Sequence, residues 1–411
     1  MTLWNRGYTT DYISDQFVQQ TRCKDGKITL NGNTFNVILV PQCQYMPVET
    51  LEKLAQLAKG GATILFEGGP PADVPGFYQY QRRQAAMQKL LDGVRFDKKQ
   101  GAAVSRAAMD RGCWMQGPAE DMLSAAGVAR EPMMDKGLQF VRRTHSEGFH
   151  YFIVNSADKP FDGWITLGVA AQSVVLMDPY FENQAGVAVI RKAADGKTEM
   201  YLQLGPAQSC ILRTFTEKAV NGSAWAYWQP TYPKLLEGTW KVEFIDGGPV
   251  LPKSYEASQL GSWTTQPDAE AQRFAGTARY TLEFGLADVK ADEWLLDLGR
   301  VCDSARVSVN GQSVGTLWSE PFQVNVERYL RAGKNTLQVE VTNVAANRIR
   351  DMDIRKVPWK IFHDANILNV EYEPFDASNW ELRDSGLLGP VSLVPLKKIS
   401  PTAGNSVIAE N

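Results

Sequence analysis

Trp318, Glu320, Asn347 and Arg348 are the residues of this 411-residue chain whose types best suit contact with a sugar. A pyranose presents an apolar C–H face and a rim of hydroxyls, so its site needs a flat ring beside planar hydrogen-bonding groups. The Trp318 indole supplies the first, and the Asn347 amide with the Arg348 guanidinium supplies the second. Trp318-Ser319-Glu320 follows an Asn310-Gly311 hairpin and precedes Pro321, while Asn347 lies just past a strand ending at Asn343. Loops at strand ends converge in many sandwiches, which would bring the two segments together. Structural roles compete: Trp318 as a cap on the core, and Asn347-Arg348 as partners of Asp351 or Asp353. Those two acids, read as part of a polar loop, carry oxygens of the kind calcium or a sugar takes, and equally the character of solvated loop acids.

Other candidates are weaker. Gly68-Gly69-Pro70-Pro71 follows a strand, where a phosphate-binding loop would sit, but two prolines remove backbone donors and neither GxGxxG nor GxxxxGK[ST] is present. Cys43 ends a strand, as a nucleophile does in glutaminase-like folds, yet PQCQY lacks the glycines of a tight elbow and no histidine stands ready to activate it. A buried, inert thiol is the expectation there. His145 and His150 flank a tight turn and read as turn and strand residues. A glycosidase needs two facing carboxylates roughly 5–10 Å apart, and no local spacing picks out such a pair.

Composition narrows the classes. Lys and Arg total 43 against 46 Asp and Glu, a net charge of -3, which excludes a polybasic nucleic-acid protein and gives no reason for binding an anionic membrane. No run approaches the roughly 18–20 apolar residues of a bilayer span, and the N-terminus lacks the pattern of a signal peptide, so localisation is left open. Five scattered cysteines without a CxxC spacing indicate neither a zinc knuckle nor a disulfide framework.

These residues must be positioned by several domains. Residues 36–43 and 62–71 read as buried strands on either side of a helix opened by Pro47 and closed by Gly60-Gly61, a strand–helix–strand unit with a right-handed crossover; 80–93 read as a further helix. From about residue 138 the apolar period becomes two, with a turn at Ser-Glu-Gly and a hairpin signal in AADGKT. The expected fold is multidomain and mainly β. It comprises a small α/β (Rossmann-like, glutaminase-like) domain over 1–135, an antiparallel β-sandwich over 138–217, a linker over 218–237, a β jelly roll over 238–398 and a flexible tail over 399–411.

The segment SWTTQPDAEAQRFAGTARYTLEF, followed by LDLGRVCDSARVSVNGQSVGTLWSEPFQVNV, LRAGKNTLQVEVTNVAANR and SGLLGPVSL, resembles the galactose-binding-like jelly roll of family 2 glycoside hydrolases. GYTTDYISDQF with ITLNGNTFNVILVPQCQYMPVETLEKLAQLAKGGATILFEGGPP resembles the α/β domain that follows the catalytic barrel in family 106 glycoside hydrolases, the α-L-rhamnosidase-like enzymes. RRTHSEGFHYFIVNSA, leading to YLQLGPAQSCIL, resembles the small sandwich that comes next there. The resemblance implies the C-terminal portion of such an enzyme, with the first strand of the α/β domain upstream of Met1, so that this domain is incomplete. It implies a catalytic acid and base, with an associated calcium, in a barrel outside these segments. The partners it implies are a rhamnose-containing glycan or glycoside and an upstream catalytic barrel. The expected role is architectural, with sugar contacts; a free-standing carbohydrate-binding protein and an inert remnant of a split gene are the alternatives.

Overall fold

A computed structural model of the chain describes residues 3–97, 101–180, 184–193, 196–287, 290–361 and 368–401. It divides into two compact units. The first comprises Met1–Lys136 with Thr166–Ala170 and Lys192–Thr198, and the second comprises the rest.

In the first unit, helix α1 (Asp15–Gln20) leads to a three-stranded meander of β1 (Arg22–Lys24), β2 (Lys27–Leu30) and β3 (Asn33–Phe35). Both of its turns place Asp-Gly or Asn-Gly at positive φ (Asp25, Gly26, Asn31, Gly32), as tight hairpins require. β4 (Val37–Val40) and β5 (Thr63–Glu67) then pair in parallel, Val37 opposite Thr63, joined by α2 (Val48–Lys59). This is the expected strand–helix–strand unit, although Pro41 ends β4 before residue 43. After α3 (Tyr80–Asp92), β6 (Ser105–Met109) and β7 (Gly112–Gly117) complete the sheet in the order β4-β5-β7-β6, with only β6 antiparallel. Ile64, Phe66 and Trp114 bury one face with Leu51, Leu54 and Leu57 of α2. Leu65 and Met115 bury the other with Met122 and Leu123 of α4 (Ala119–Ala125). Two apolar faces explain why TILF reads as an unbroken apolar run.

The second unit opens with β8 (Leu138–His145) and β9 (Gly148–Asn155), joined at Ser146-Glu147, followed by β10 (Phe161–Thr166), β11 (Ser173–Met177), β12 (Ala185–Val187), β13 (Ile190–Lys192), β14 (Thr198–Leu204) and β15 (Ser209–Phe215). They form a five-stranded sheet, β12-β11-β15-β9-β8, and a three-stranded sheet, β10-β14-β13. β14 alternates buried and half-buried residues throughout, the signature of a sandwich strand. Residues 194–195 of the AADGKT turn lie outside the described residues.

The jelly roll begins earlier than its sequence suggests. β16 (Tyr227–Pro230) and β17 (Lys234–Leu235), within residues read as linker, both pair with β28 (Ser392–Ile399). Between them come β18 (Trp240–Gly248), β19 (Tyr255–Ala257), the short helix α5 (Ala269–Gln272), β20 (Ala275–Leu286), β21 (Glu293–Asp297), β22 (Arg300–Cys302), β23 (Ser304–Val309), β24 (Gln312–Leu317), β25 (Gln323–Asn325), β26 (Gly333–Thr342), helix α6 (Ala346–Ile354) and β27 (Gly386–Gly389). One sheet runs β19-β18-β20-β26-β23-β24, the other β16-β28-β21-β25, and β22 pairs with β27. Between them lies a core that includes Trp240, Trp263, Tyr280, Leu282, Leu337 and Val339. The Asn310-Gly311 hairpin forms as expected, and the Asn310 amide also donates to the Tyr329 carbonyl at 2.9 Å.

Two outcomes follow. Gly386 has a φ of +105°, and a Cβ there would meet the Tyr280 hydroxyl and stand 2.8 Å from Trp263 Cε3. Gly386→Ala should therefore cost the second unit about 2–4 kcal/mol, from overpacking plus a left-handed backbone, as read by urea unfolding. An unchanged midpoint would show that the core yields at this point. Among the described residues β4 pairs on one side only, and three of its four residues are half-buried, so amides in Val37–Val40 should exchange well before those of β20 and β26. Equal protection would mean that this edge is covered.

Candidate functional site

The register of the six-stranded sheet decides which loops meet. Leu317 of β24 faces Ala305, and Thr342 of β26 faces Ser304 on the strand between them. Trp318 and Asn343 therefore leave the sheet at the same end, two strand spacings or about 10 Å apart. The two candidate loops thus share an end of the jelly roll.

Trp318 does not cap the core. It is 63% exposed and stacks on Tyr180, with centroids 5.1 Å apart and planes at 12°. Tyr180, in the loop after β11, also fixes the backbone. Its hydroxyl accepts from the Trp318 and Ser319 N–H groups at 2.5 and 2.9 Å and donates to the Ser319 carbonyl at 3.0 Å. The adjoining Glu320 is exposed, and its carboxylate has no hydrogen bond or ion pair among the described residues. The result is a rigidly seated aromatic ring beside a free carboxylate.

Asn347 and Arg348 are placed otherwise. The segment read as a polar loop is α6, held by ion pairs three and four residues apart. Asn347 is 3% exposed; its amide donates to the Arg383 carbonyl at 2.8 Å and the Ser385 hydroxyl at 3.3 Å, and accepts from the Arg383 N–H at 2.9 Å. That side chain pins the chain returning to β27. Arg348 lies 3.4 Å from Asp351, which also meets Arg355 at 2.6 Å and Arg273 at 3.7 Å. Asp353, its side chain 6% exposed, accepts from Trp359 Nε1 at 2.7 Å, Lys360 Nζ at 3.1 Å and the Ala377 N–H at 2.8 Å. Guanidinium and ammonium groups occupy both carboxylates, an arrangement unlike the six to eight oxygens that calcium takes. Asp351 and Asp353 therefore do not fit a calcium ion, and no other group of three or more His, Cys, Asp or Glu is gathered for a metal among the described residues.

The same region holds a cluster that sequence reasoning missed. Lys360 Nζ lies 5.7 Å from the Trp359 ring centroid and 5.6 Å from that of Phe375, and donates to the Phe375 carbonyl at 2.6 Å. Trp380, 41% exposed, meets Phe375 edge-on at 5.5 Å. The available signal was length: residues 343–385 make too long a connection to lack structure of their own.

The remaining candidates read as structural. Gly68 and Gly69 turn the chain at φ values of +76° and +121°. Burial, with a smaller push from Asp15, raises the Cys43 thiol above its ordinary pKa, the opposite of what a nucleophile needs. His145 Nε2 lies 3.1 Å from the Thr214 carbonyl, and its Nδ1 accepts from the Glu147 N–H at 3.2 Å, so both ring nitrogens are engaged.

Residues 3–187 match the family model of the family 106 glycoside hydrolases, described as α-L-rhamnosidase. The structure of a rhamnosidase from Novosphingobium sp. PP1Y superposes on 93% of this chain with a TM-score of 0.68 and 25% identity. The first 45% of the chain is thus similar to the family 106 glycoside hydrolases. The chain's mainly β architecture, with an α/β sheet, a sandwich and a jelly roll, is similar to the matching part of that rhamnosidase structure, and no barrel occurs among the described residues. A curated protein of Formosa agariphila, named a putative β-glucuronidase, is 33% identical over 208 residues, covering 44% of this chain and 17% of that protein. A β-glucuronidase structure from Bifidobacterium dentium aligns with 40% of this chain at 20% identity and a TM-score of 0.29. The chain spans 36% of the length of the rhamnosidase and a smaller share of the curated relative.

The Asp353 knot yields a pH prediction. Burial alone would raise this carboxyl, but the Ala377 N–H, the Trp359 indole and Lys360 more than offset it and hold the pKa below the usual value. A depressed carboxylate stabilises above its unfolded pKa of about 3.9, and that contribution is lost as pH falls through the folded value. Near-UV dichroism of the tryptophans should therefore show an acid transition below about pH 4, smaller in Asp353→Asn. An identical acid profile in the variant would contradict it.

Proposed function

We propose that the chain is an accessory, non-catalytic part of a rhamnosidase-like glycoside hydrolase, contributing architecture and a sugar contact at the Trp318 end of the jelly roll. Its likeness to glycoside hydrolases supports carbohydrate as the substrate class. The parent reaction is hydrolysis of a terminal rhamnosyl bond, performed by a catalytic barrel. The observation that carries the reading is the Trp318 indole, 63% exposed yet held by Tyr180 through its ring and its hydroxyl. An aromatic ring fixed in this way can receive the C–H face of a pyranose without first losing rotamer entropy, and Glu320 beside it accepts from sugar hydroxyls. The amide and guanidinium expected to help, on Asn347 and Arg348, are committed to α6 and its neighbours, so the contact rests on Trp318 and Glu320. Further support comes from the acids of α6, which are consumed by cations rather than set facing one another for acid–base work.

The purified chain should not turn over aryl rhamnosides, whereas millimolar rhamnose should shift its tryptophan fluorescence, and Trp318→Ala should abolish that shift. Turnover lost on mutating an acid of this chain would overturn the non-catalytic reading. A sugar response that survives Trp318→Ala would remove the proposed contact.

A further inference from the structure

The outer face of the five-stranded sheet in the small sandwich has a composition that its role as a structural layer does not require. Register sets Arg143, His150 and Arg213 directly opposite one another on β8, β9 and β15, and directly opposed residues point to the same face. The next row on that face is Val141, Phe152 and Ile211. Val141 is 50% exposed and Phe152 44% exposed, so an apolar strip with a ring at its centre lies open beside a cationic row. Neighbouring strands are about 4.8 Å apart, so each row offers a flat track of about 10 Å, the length of two pyranose rings.

Charge on this face is unbalanced. Arg213 and Lys218 share one carboxylate, Glu147, each at 3.3 Å. Arg143 is exposed and has no ion pair among the described residues. His150 is held below the ordinary histidine pKa by burial and by His145 and Arg213, so at neutral pH its ring is uncharged and can share hydrogen bonds with hydroxyls. Glu147 also lines an adjoining cleft of about 520 Å³ with Thr144, Ser146, Thr216, Glu217 and Lys218, whose hydroxyls suit the rim of a sugar. Guanidinium groups beside an open ring meet two needs of an acidic sugar at once: a partner for its anion and a surface for its C–H face.

We propose that this face is a second carbohydrate site, distinct from the Trp318 loop, which takes an anionic oligosaccharide laid across β8, β9 and β15 with a ring on Phe152 and its acidic groups toward Arg143 and Arg213. Carboxylate and sulfate ester satisfy a guanidinium alike, so the ligand class is an acidic saccharide of either kind.

Calorimetric titration of the full chain tests this with galacturonate oligosaccharides, sulfated galactan oligosaccharides, a neutral galactan oligosaccharide of equal length and an oligoglutamate peptide. At least one acidic saccharide should bind, more weakly as salt rises, with the neutral saccharide and the peptide well behind. Tighter binding of the galacturonate or of the sulfated arm identifies the anion. Arg143→Ala and Phe152→Ser, both at exposed positions, should each weaken binding about tenfold or more. Trp318→Ala should leave it unchanged, which separates this site from the other. No binding of either acidic saccharide at millimolar concentration, equal binding of the neutral saccharide or of the peptide, or indifference to both variants would overturn the proposal.

Discussion

Antiparallel pairing of β20 with β26, from Thr277 opposite Thr342 to Leu286 opposite Gly333, is the constraint on which the geometry of the second unit depends. Side chains alternate with a period of two, so a slip of one residue would turn Tyr280, Leu282, Leu337 and Val339 out of the core. β23 is registered on β26, and β24 on β23. The position from which Trp318 leaves the sheet, and the one from which α6 starts, therefore follow from a single ladder. Arg279 and Arg306 both pair with Glu340 on the opposite face of these strands, an arrangement available only in this register.

At the end of that sheet, polar chemistry divides into two kinds. Around α6 it is spent internally: Asn347 on Arg383 and Ser385, Asp351 on arginines, and Asp353 on Trp359, Lys360 and Ala377. Buried polar groups persist only when partnered, and these, with the aromatic contacts of Phe375, hold a long connection together. Around Trp318 the polar groups serve to hold a ring that remains exposed. Tyr180 spends its hydroxyl on the backbone of Trp318 and Ser319 instead of on solvent, so the indole and Glu320 stay available in a fixed position. That contrast is why the proposed contact rests on Trp318 and Glu320 and not on Asn347 or Arg348.

Much of the fold was legible because it depends on local pattern. The period-two runs, the Asn310-Gly311 turn and the buried apolar strands beside an amphipathic helix all declared themselves. What stayed hidden depends on partners distant in sequence. Tyr180 carries no signal of its own until Trp318, far along the chain, is set against it. The burial of Asn347 follows from Arg383 and Ser385. β6 and β7, in SRAAMDRGCWMQG, have little β-propensity and form because a parallel strand and two helices offer them a place. β16 and β17 lie among prolines, which sequence reasoning assigns to a linker, although an edge position tolerates them. The helix at 346–354 was readable in principle, since Arg348, Asp351 and Arg355 stand at helical spacing.

We propose that this chain, similar to glycoside hydrolases over much of its length, contacts sugar through a fixed aromatic ring at the end of a jelly roll and leaves the chemistry to another domain. Hydrogen exchange of the chain with and without a rhamnosyl oligosaccharide tests it most directly. Protection should rise over residues 317–323, with no hydrolysed sugar appearing during the measurement. Protection confined to other segments, or release of free rhamnose by the chain alone, would contradict it.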